Sequence, residues 1–389
     1  MSSVHEESMI TARLGRWRLQ SVARDLLPDE AVSKCCRKRF AGFVSVKESP
    51  SKVPHFGGLE TCHSVWVCPI CASKISERRR EEIDVAVRIW HCLGGATVLL
   101  SLTLPHSIEQ SLLEVLEGYQ GSRRTLLNRK SWKTLSKSVG LKGSVRALEA
   151  TYGLNGWHLH SHEVLFLDGM CDTVLLTARI LPLWQAACAT EYGRVPNGHG
   201  VKISGADDPD EYLAAMSPTI EVAESGLSGS CSESLDKYRA RAAGGDLLTG
   251  GASRWTIAHE VARAHSKKSR VDSSDTPWDL LRRAADGATW AGALFIEWAR
   301  SMKGRKHLLW SRGLRALMGL DAEKTDEEIA NEDEAGSVLV GLITPAQWNR
   351  ICSQEMRGEI LAAAARGGWA AVERLIIALC TPGCLRSDA

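Results

Sequence analysis

The stretch from Gly143 to Leu167 restricts what this chain can fold into more than any other part of it. Residues 143–152 and 157–167 read as two strands, and the turn residues Gly-Leu-Asn-Gly between them join the strands into an antiparallel hairpin. Side chains on a strand alternate faces, so His158, His160 and His162 all point to one side. Three imidazoles in a row build a poor core and hold a divalent ion well. If the turn closes over two or four residues, Glu149 faces His160 and Ala147 faces His162. An odd loop shifts the register and removes that pairing. A carboxylate beside imidazoles suits Mg²⁺ or Mn²⁺ better than a softer metal. The bland alternative is a strand whose histidines face solvent, which three histidines in register with a glutamate argue against. His158 is the least needed member, because two imidazoles and a carboxylate already make a sufficient set.

The second informative cluster is cysteine-rich. Cys68-Pro69-Ile70-Cys71 is a knuckle in which two thiolates converge on one ion, and Cys62 brings a third from six residues upstream. A tetrahedral structural zinc needs a fourth ligand, which Cys35 or Cys36 supplies, with His63 in reserve. A redox pair does not call for a third nearby cysteine, so the spacing favours structural Zn²⁺. The chain has 12 cysteines, and those outside the cluster read as small core residues.

The 389 residues suffice for two or three domains. Residues 1–90 hold the cysteine cluster and a charged helix over 72–90, with SERRREEI at its exposed start. Residues 91–220 alternate strands (97–104, the hairpin, 201–204) with helices (123–139, 172–192). Residues 221–254 lie in a Gly-, Ser- and Ala-rich stretch, a flexible or inserted segment. Residues 255–389 read as mainly helical, with starts at Thr276-Pro277 and Thr344-Pro345 and helices over 290–302 and 308–318. No apolar run reaches the roughly 18 residues that span a bilayer, and the N-terminus is polar and mixed in charge. The expectation is a cytoplasmic protein with no membrane partner.

The net charge of +2 hides an uneven distribution. Residues 121–146 carry eight Lys or Arg, among them Arg123, Arg124, Arg129, Lys130 and Lys133, and no acid. Most such runs are solvated helix faces, but the absence of acids shifts the reading towards phosphate contacts on DNA. The acidic run from Asp321 to Glu334 is expected to lie away from DNA.

Asp208-Pro209-Asp210-Glu211-Tyr212 reads as a helix start, with Asp208 as N-cap, Pro209 in the first turn and Glu211 completing a capping box. Tyr212 then falls where the helix dipole favours a phosphate and a developing phenolate. Alone this signal is weak, because most such tyrosines pack; beside the histidine strand it suggests a nucleophile.

Taken in order, these motifs resemble those of rolling-circle plasmid replication initiators, particularly the actinobacterial ones. GLETCHSVWVCPICASKISERRREE resembles their cysteine-rich region, TVLLSLTLPH their first motif, and RALEATYGLNGWHLHSHEVLF their His–hydrophobe–His motif. DEYLAAM resembles the catalytic tyrosine motif, and TPWDLLRRAADG and LLWSRGLRALMGL the C-terminal segments. The resemblance implies an α+β fold with a five-stranded antiparallel sheet. It also implies Mg²⁺ or Mn²⁺ on His160, His162 and Glu149, and Tyr212 joined to a 5′ phosphate after nicking. The implied partners are plasmid double-strand origin DNA, single-stranded DNA, and a host helicase and polymerase. Two positions depart from the pattern. Ser161 stands where a bulky apolar residue is usual, and Ala215 where Lys follows the tyrosine by three. Met216 occupies the position where some relatives carry the nucleophile, which leaves Tyr212, with Tyr238 in reserve. The alternative is a zinc-stabilised DNA-binding protein that no longer nicks. A zinc hydrolase lacks an evident general base, and a relaxase or transposase fits the cysteines less well.

Overall fold

A computed structural model describes residues 3–204, 257–262, 274–332 and 336–381. The chain is mixed α and β with antiparallel sheets, in two compact units. Among the described residues, no helix is long and apolar enough to cross a membrane.

One unit comprises Met1–Ile75, Leu280–Ala299 and Lys324–Ala389. Its sheet has the order β2-β1-β9, formed by β1 (Val44–Glu48), β2 (Pro54–Gly57) and β9 (Val338–Ile343). With it lie α1 (Ser3–Leu26), α8 (Pro345–Ser353) and α9 (Arg357–Cys380). Trp17 of α1 meets Phe56 of β2 edge-on at 5.9 Å, and Phe56 meets Trp348 of α8 at 5.0 Å. Thr344 and Gln347 close a capping box at the start of α8, as Thr-Pro at that point leads one to expect.

The other unit comprises Ser76–Asp279 and Arg300–Glu323. Its sheet runs β6-β3-β5-β4-β7, from β3 (Ala96–Thr103), β4 (Leu141–Gly153), β5 (Gly156–Leu167), β6 (Val201–Ser204) and β7 (Ser274–Asp275). A sixth strand, β8 (Leu308–Trp310), also pairs with β4. The hairpin turn is Leu154-Asn155, and Gly153 pairs with Gly156. Gly156 has φ +85°, and a Cβ there would lie 2.8 Å from Ile108 Cα, so both backbone and space require glycine.

Register assigns the faces. Leu99 and Ser101 of β3, Ala147 and Glu149 of β4, and His160, His162, Val164 and Phe166 of β5 share one face. Its apolar half is covered by α2 (Pro69–Cys92), through Ile83, Val87 and Trp90, and by Ile257 and Val261 of a short helix. Towards the turn the same face becomes polar, because valine and phenylalanine give way to histidine. On the opposite face, α3 (Leu112–Asn128) lies over β5, with α5 (Thr173–Glu191) beside it. Tyr119 of α3 meets Trp184 of α5 at 5.9 Å.

Four expectations need correction. The basic stretch 123–139 is not one helix: α3 begins at Leu112 behind the Ser111–Glu114 capping box, and Arg129 is extended (φ −65°, ψ 139°) before α4 (Lys130–Ser138). The buried residues Leu126, Trp132 and Leu135 are out of phase for a single helix, and the break lets all three turn inward. Residues 308–318 are strand β8 followed by the short helix Leu314–Leu317, because pairing with β4 outweighs helical propensity. The C-terminal region also contributes a strand, β9, through pairing with β1. Finally, the start of SERRREEI is not solvated. Arg79 is buried against Glu82 and Glu323 (3.3 and 3.1 Å), and Arg80 pairs with Glu77 (2.7 Å) and with the buried Asp84.

Candidate metal centres and the basic helix

Glu149 lies directly across from His160 and Ala147 across from His162, the register that a two-residue turn dictates. Both imidazoles aim Nε2 at one carboxylate oxygen. His162 Nε2 is 2.8 Å and His160 Nε2 3.1 Å from Glu149 Oε2. The ligand atoms of the three residues all lie within 4.8 Å of one another. Two nitrogens and one carboxylate oxygen fit a hard-to-borderline divalent ion and leave coordination positions open for water or phosphate oxygens. Ser101 Oγ, which the linear sequence does not single out, lies 3.1 Å from His162 Nδ1. A proton on Nδ1 held by Ser101 leaves the Nε2 lone pair free for a metal.

His158 stands one step further out and is not part of that converging set. Its ring packs edge-on between His106 (4.8 Å) and His160 (5.2 Å). Burial, and then the neighbouring imidazoles, push it down to about 4.

Cys35, Cys62, Cys68 and Cys71 are all buried, with their sulfurs within 4.8 Å of one another. Cys35 Sγ is 3.6 Å from both Cys68 and Cys71, and Cys62 is 3.8 Å from Cys71. A tetrahedron of about 2.3 Å Zn–S bonds places sulfurs about 3.8 Å apart, so the donor set fits structural zinc. Cys35 therefore joins the set, while Cys36, with φ 51°, lies beside it. Hydrogen bonding with the sulfurs of Cys36, Cys62, Cys68 and Cys71 holds Cys35 far below the usual thiol range. Burial, and then Cys35, push Cys68 up. The Cys35 carbonyl accepts from Gln20 of α1 at 2.7 Å and from the buried Arg357 of α9 at 3.4 Å. The cluster is thus tied to both ends of the chain's first unit.

The basic residues separate into two groups. Arg123 is committed to a bidentate pair with buried Glu163, at 2.7 Å for each bond, and Arg129 donates to the Ala186 carbonyl (2.9 Å) and Thr190 (3.0 Å) of α5. Arg124, Lys130 and Lys133 are exposed. Tyr212, Tyr238, the proposed helix start at Asp208 and the Gly-rich stretch lie outside the described residues.

No family model matches the chain, and no solved structure matches it. It is similar to protein rep of Streptomyces lividans, at 25% identity over 79% of this chain and 75% of that protein. It is also similar to a neomycin resistance protein of Streptomyces cyanogenus, at 28% identity over 30% of this chain and 32% of that protein.

Proposed function

We propose that this chain initiates plasmid rolling-circle replication, binding the double-strand origin and nicking one strand through Tyr212. The observation that carries the reading is the convergence of His160 Nε2 and His162 Nε2 on Glu149 Oε2, at the polar end of a sheet face. The similarity to protein rep over most of both chains supports it. The residues that would hold Mg²⁺ or Mn²⁺ are Glu149, His160 and His162, and a cation there draws charge from the scissile phosphate. Ser101 orients His162. The Tyr212 oxygen attacks phosphorus in line as the bond to the 3′ oxygen breaks. The phenol proton leaves to solvent, the 3′ oxygen takes one up, and the strand remains on the protein as a 5′-phosphotyrosine. The free 3′-OH then serves a host polymerase, with a host helicase opening the duplex. Residues 91–220 would carry this chemistry, and the cysteine cluster would hold zinc for structure alone.

A non-nicking DNA-binding protein is the second reading, favoured by Ala215 where the motif has lysine. Incubation of supercoiled origin DNA, and of an origin strand labelled at its 3′ end, with Mn²⁺ or Mg²⁺ separates the two. Open circles with labelled protein support the initiator. Tight binding without either product leaves only the DNA-binding protein.

A further inference from the structure

On the sheet face opposite the histidines lies a pocket of about 270 Å³, lined by Gln120, Arg123, Arg124, Leu127, Asn128 and Arg146. The five helical residues fall at i, i+3, i+4, i+7 and i+8 of α3, a single stripe, and Arg146 reaches the pocket from β4. Among the described residues no carboxylate lines it.

The charges inside do not balance. Glu163 lies opposite Arg146 in the β4–β5 register, yet Arg123 occupies both of its oxygens at 2.7 Å. Tyr119 and Ser161 each donate to Glu163 Oε1 at 3.3 Å as well. One carboxylate therefore faces two guanidinium groups, and its acceptor sites are spent on Arg123. Arg146 is 8% exposed, its Nε has no hydrogen-bond partner among the described residues, and it rests over the Tyr119 ring at 5.8 Å. An arginine cannot shed its proton to relieve this, and a buried unpaired charge is costly. The surplus positive charge, with Arg124 and the amides of Gln120 and Asn128 around it, matches an anion with several acceptor oxygens.

We propose that this pocket is a phosphate site, in which Arg146 and Arg124 grip one phosphate of the DNA backbone while Arg123 serves as a positioning residue through Glu163. The assignment to DNA rests on the function proposed above; the phosphate chemistry does not. Because Arg146 and Glu149 point to opposite faces of β4, the site is separate from the histidine centre. A backbone contact of this kind fixes where the duplex lies and reads no bases.

The test uses the full-length, zinc-loaded protein with inorganic phosphate, dATP and a labelled DNA duplex as probes. Phosphate is expected to raise the melting temperature of the wild type but not of Arg124→Gln or Arg146→Gln. The slope of log affinity against log salt for the duplex is expected to fall by about one in each variant, and by about one in the double variant, since both lose the same phosphate. A fall of about two in the double variant, or a phosphate-dependent melting shift retained in both folded single variants, overturns the shared site. Loss of dATP binding with an unchanged duplex slope keeps the phosphate site and overturns DNA as its source. Arg124 is exposed on α3, so Arg124→Gln decides the matter if Arg146→Gln does not fold. Protein that neither binds duplex nor nicks removes the proposed function, while the phosphate-dependent melting shift still reports on the pocket.

Discussion

Glu149 Oε2 lies 3.1 Å from His160 Nε2 across one rung of the β4–β5 hairpin, and the same oxygen meets His162 at 2.8 Å. One oxygen thus serves two imidazoles from the neighbouring strand. That is possible only because the turn length puts the carboxylate on the histidine side. A one-residue slip would send Glu149 to the face covered by α3.

His160→Ala or His162→Ala is expected to lower metal-dependent nicking by at least about 100-fold, with far-ultraviolet circular dichroism unchanged. Ser101→Ala should weaken Mn²⁺ binding about 10- to 100-fold, since it frees the His162 ring without removing a ligand. Titration of Mn²⁺ by calorimetry checks both. Wild-type affinity in the histidine variants would refute the metal assignment.

The sulfur geometry leads us to expect one zinc per chain by elemental analysis. Cys35→Ser, Cys68→Ser and Cys71→Ser should each lose the ion and become protease-sensitive, whereas Cys36→Ser should keep it. A folded, zinc-free wild type would dispose of this prediction.

Tyr212→Phe should eliminate the covalent 5′ adduct while leaving Mn²⁺ binding intact, because Phe keeps the ring and loses only the hydroxyl. Ala215→Lys is expected to raise nicking, since a cation one helical turn from the nucleophile stabilises charge developing on the phosphate. If Tyr238→Phe loses the adduct and Tyr212→Phe keeps it, the nucleophile is Tyr238.

Arg123 and the exposed lysines should behave differently. Arg123→Ala removes both short hydrogen bonds to the buried Glu163, leaving Arg146 as its only cation, and is expected to cost about 1.5–3 kcal/mol in urea unfolding. Lys130→Gln with Lys133→Gln should leave stability unchanged and reduce the salt slope of duplex binding by about two. An unchanged slope would mean that these two lysines only solvate the surface.

Burial alone would raise the Glu355 carboxyl, but hydrogen bonds from Ser21, Arg37 and Arg24 overcome it and hold it at about 2. A carboxyl depressed in the folded state stabilises above its unfolded value, and loses that contribution as pH falls through its folded one. Glu355→Gln should therefore melt below the wild type at neutral pH, with the gap closing between about pH 4 and 2. A gap independent of pH would mean that the carboxylate charge contributes nothing.

Much of the histidine centre was legible in the linear sequence because its parts are close neighbours. Alternation along β5 aligns the histidines, and a two-residue turn sets their partner on β4. The same locality made Cys62, Cys68 and Cys71 readable, along with the helix starts at Thr276 and Thr344. Tertiary structure decided what depends on residues distant in the chain. It chose Cys35 over Cys36, gave His162 its contact with Ser101, and drew Leu308–Trp310 and Val338–Ile343 into sheets. It also divided the basic run, committing Arg123 and Arg129 to partners on β5 and α5 while Arg124, Lys130 and Lys133 face solvent. Periodicity specifies which way a side chain points along its own element. Which oxygen or sulfur waits there is set by packing between elements, and a charge run in sequence carries no record of it.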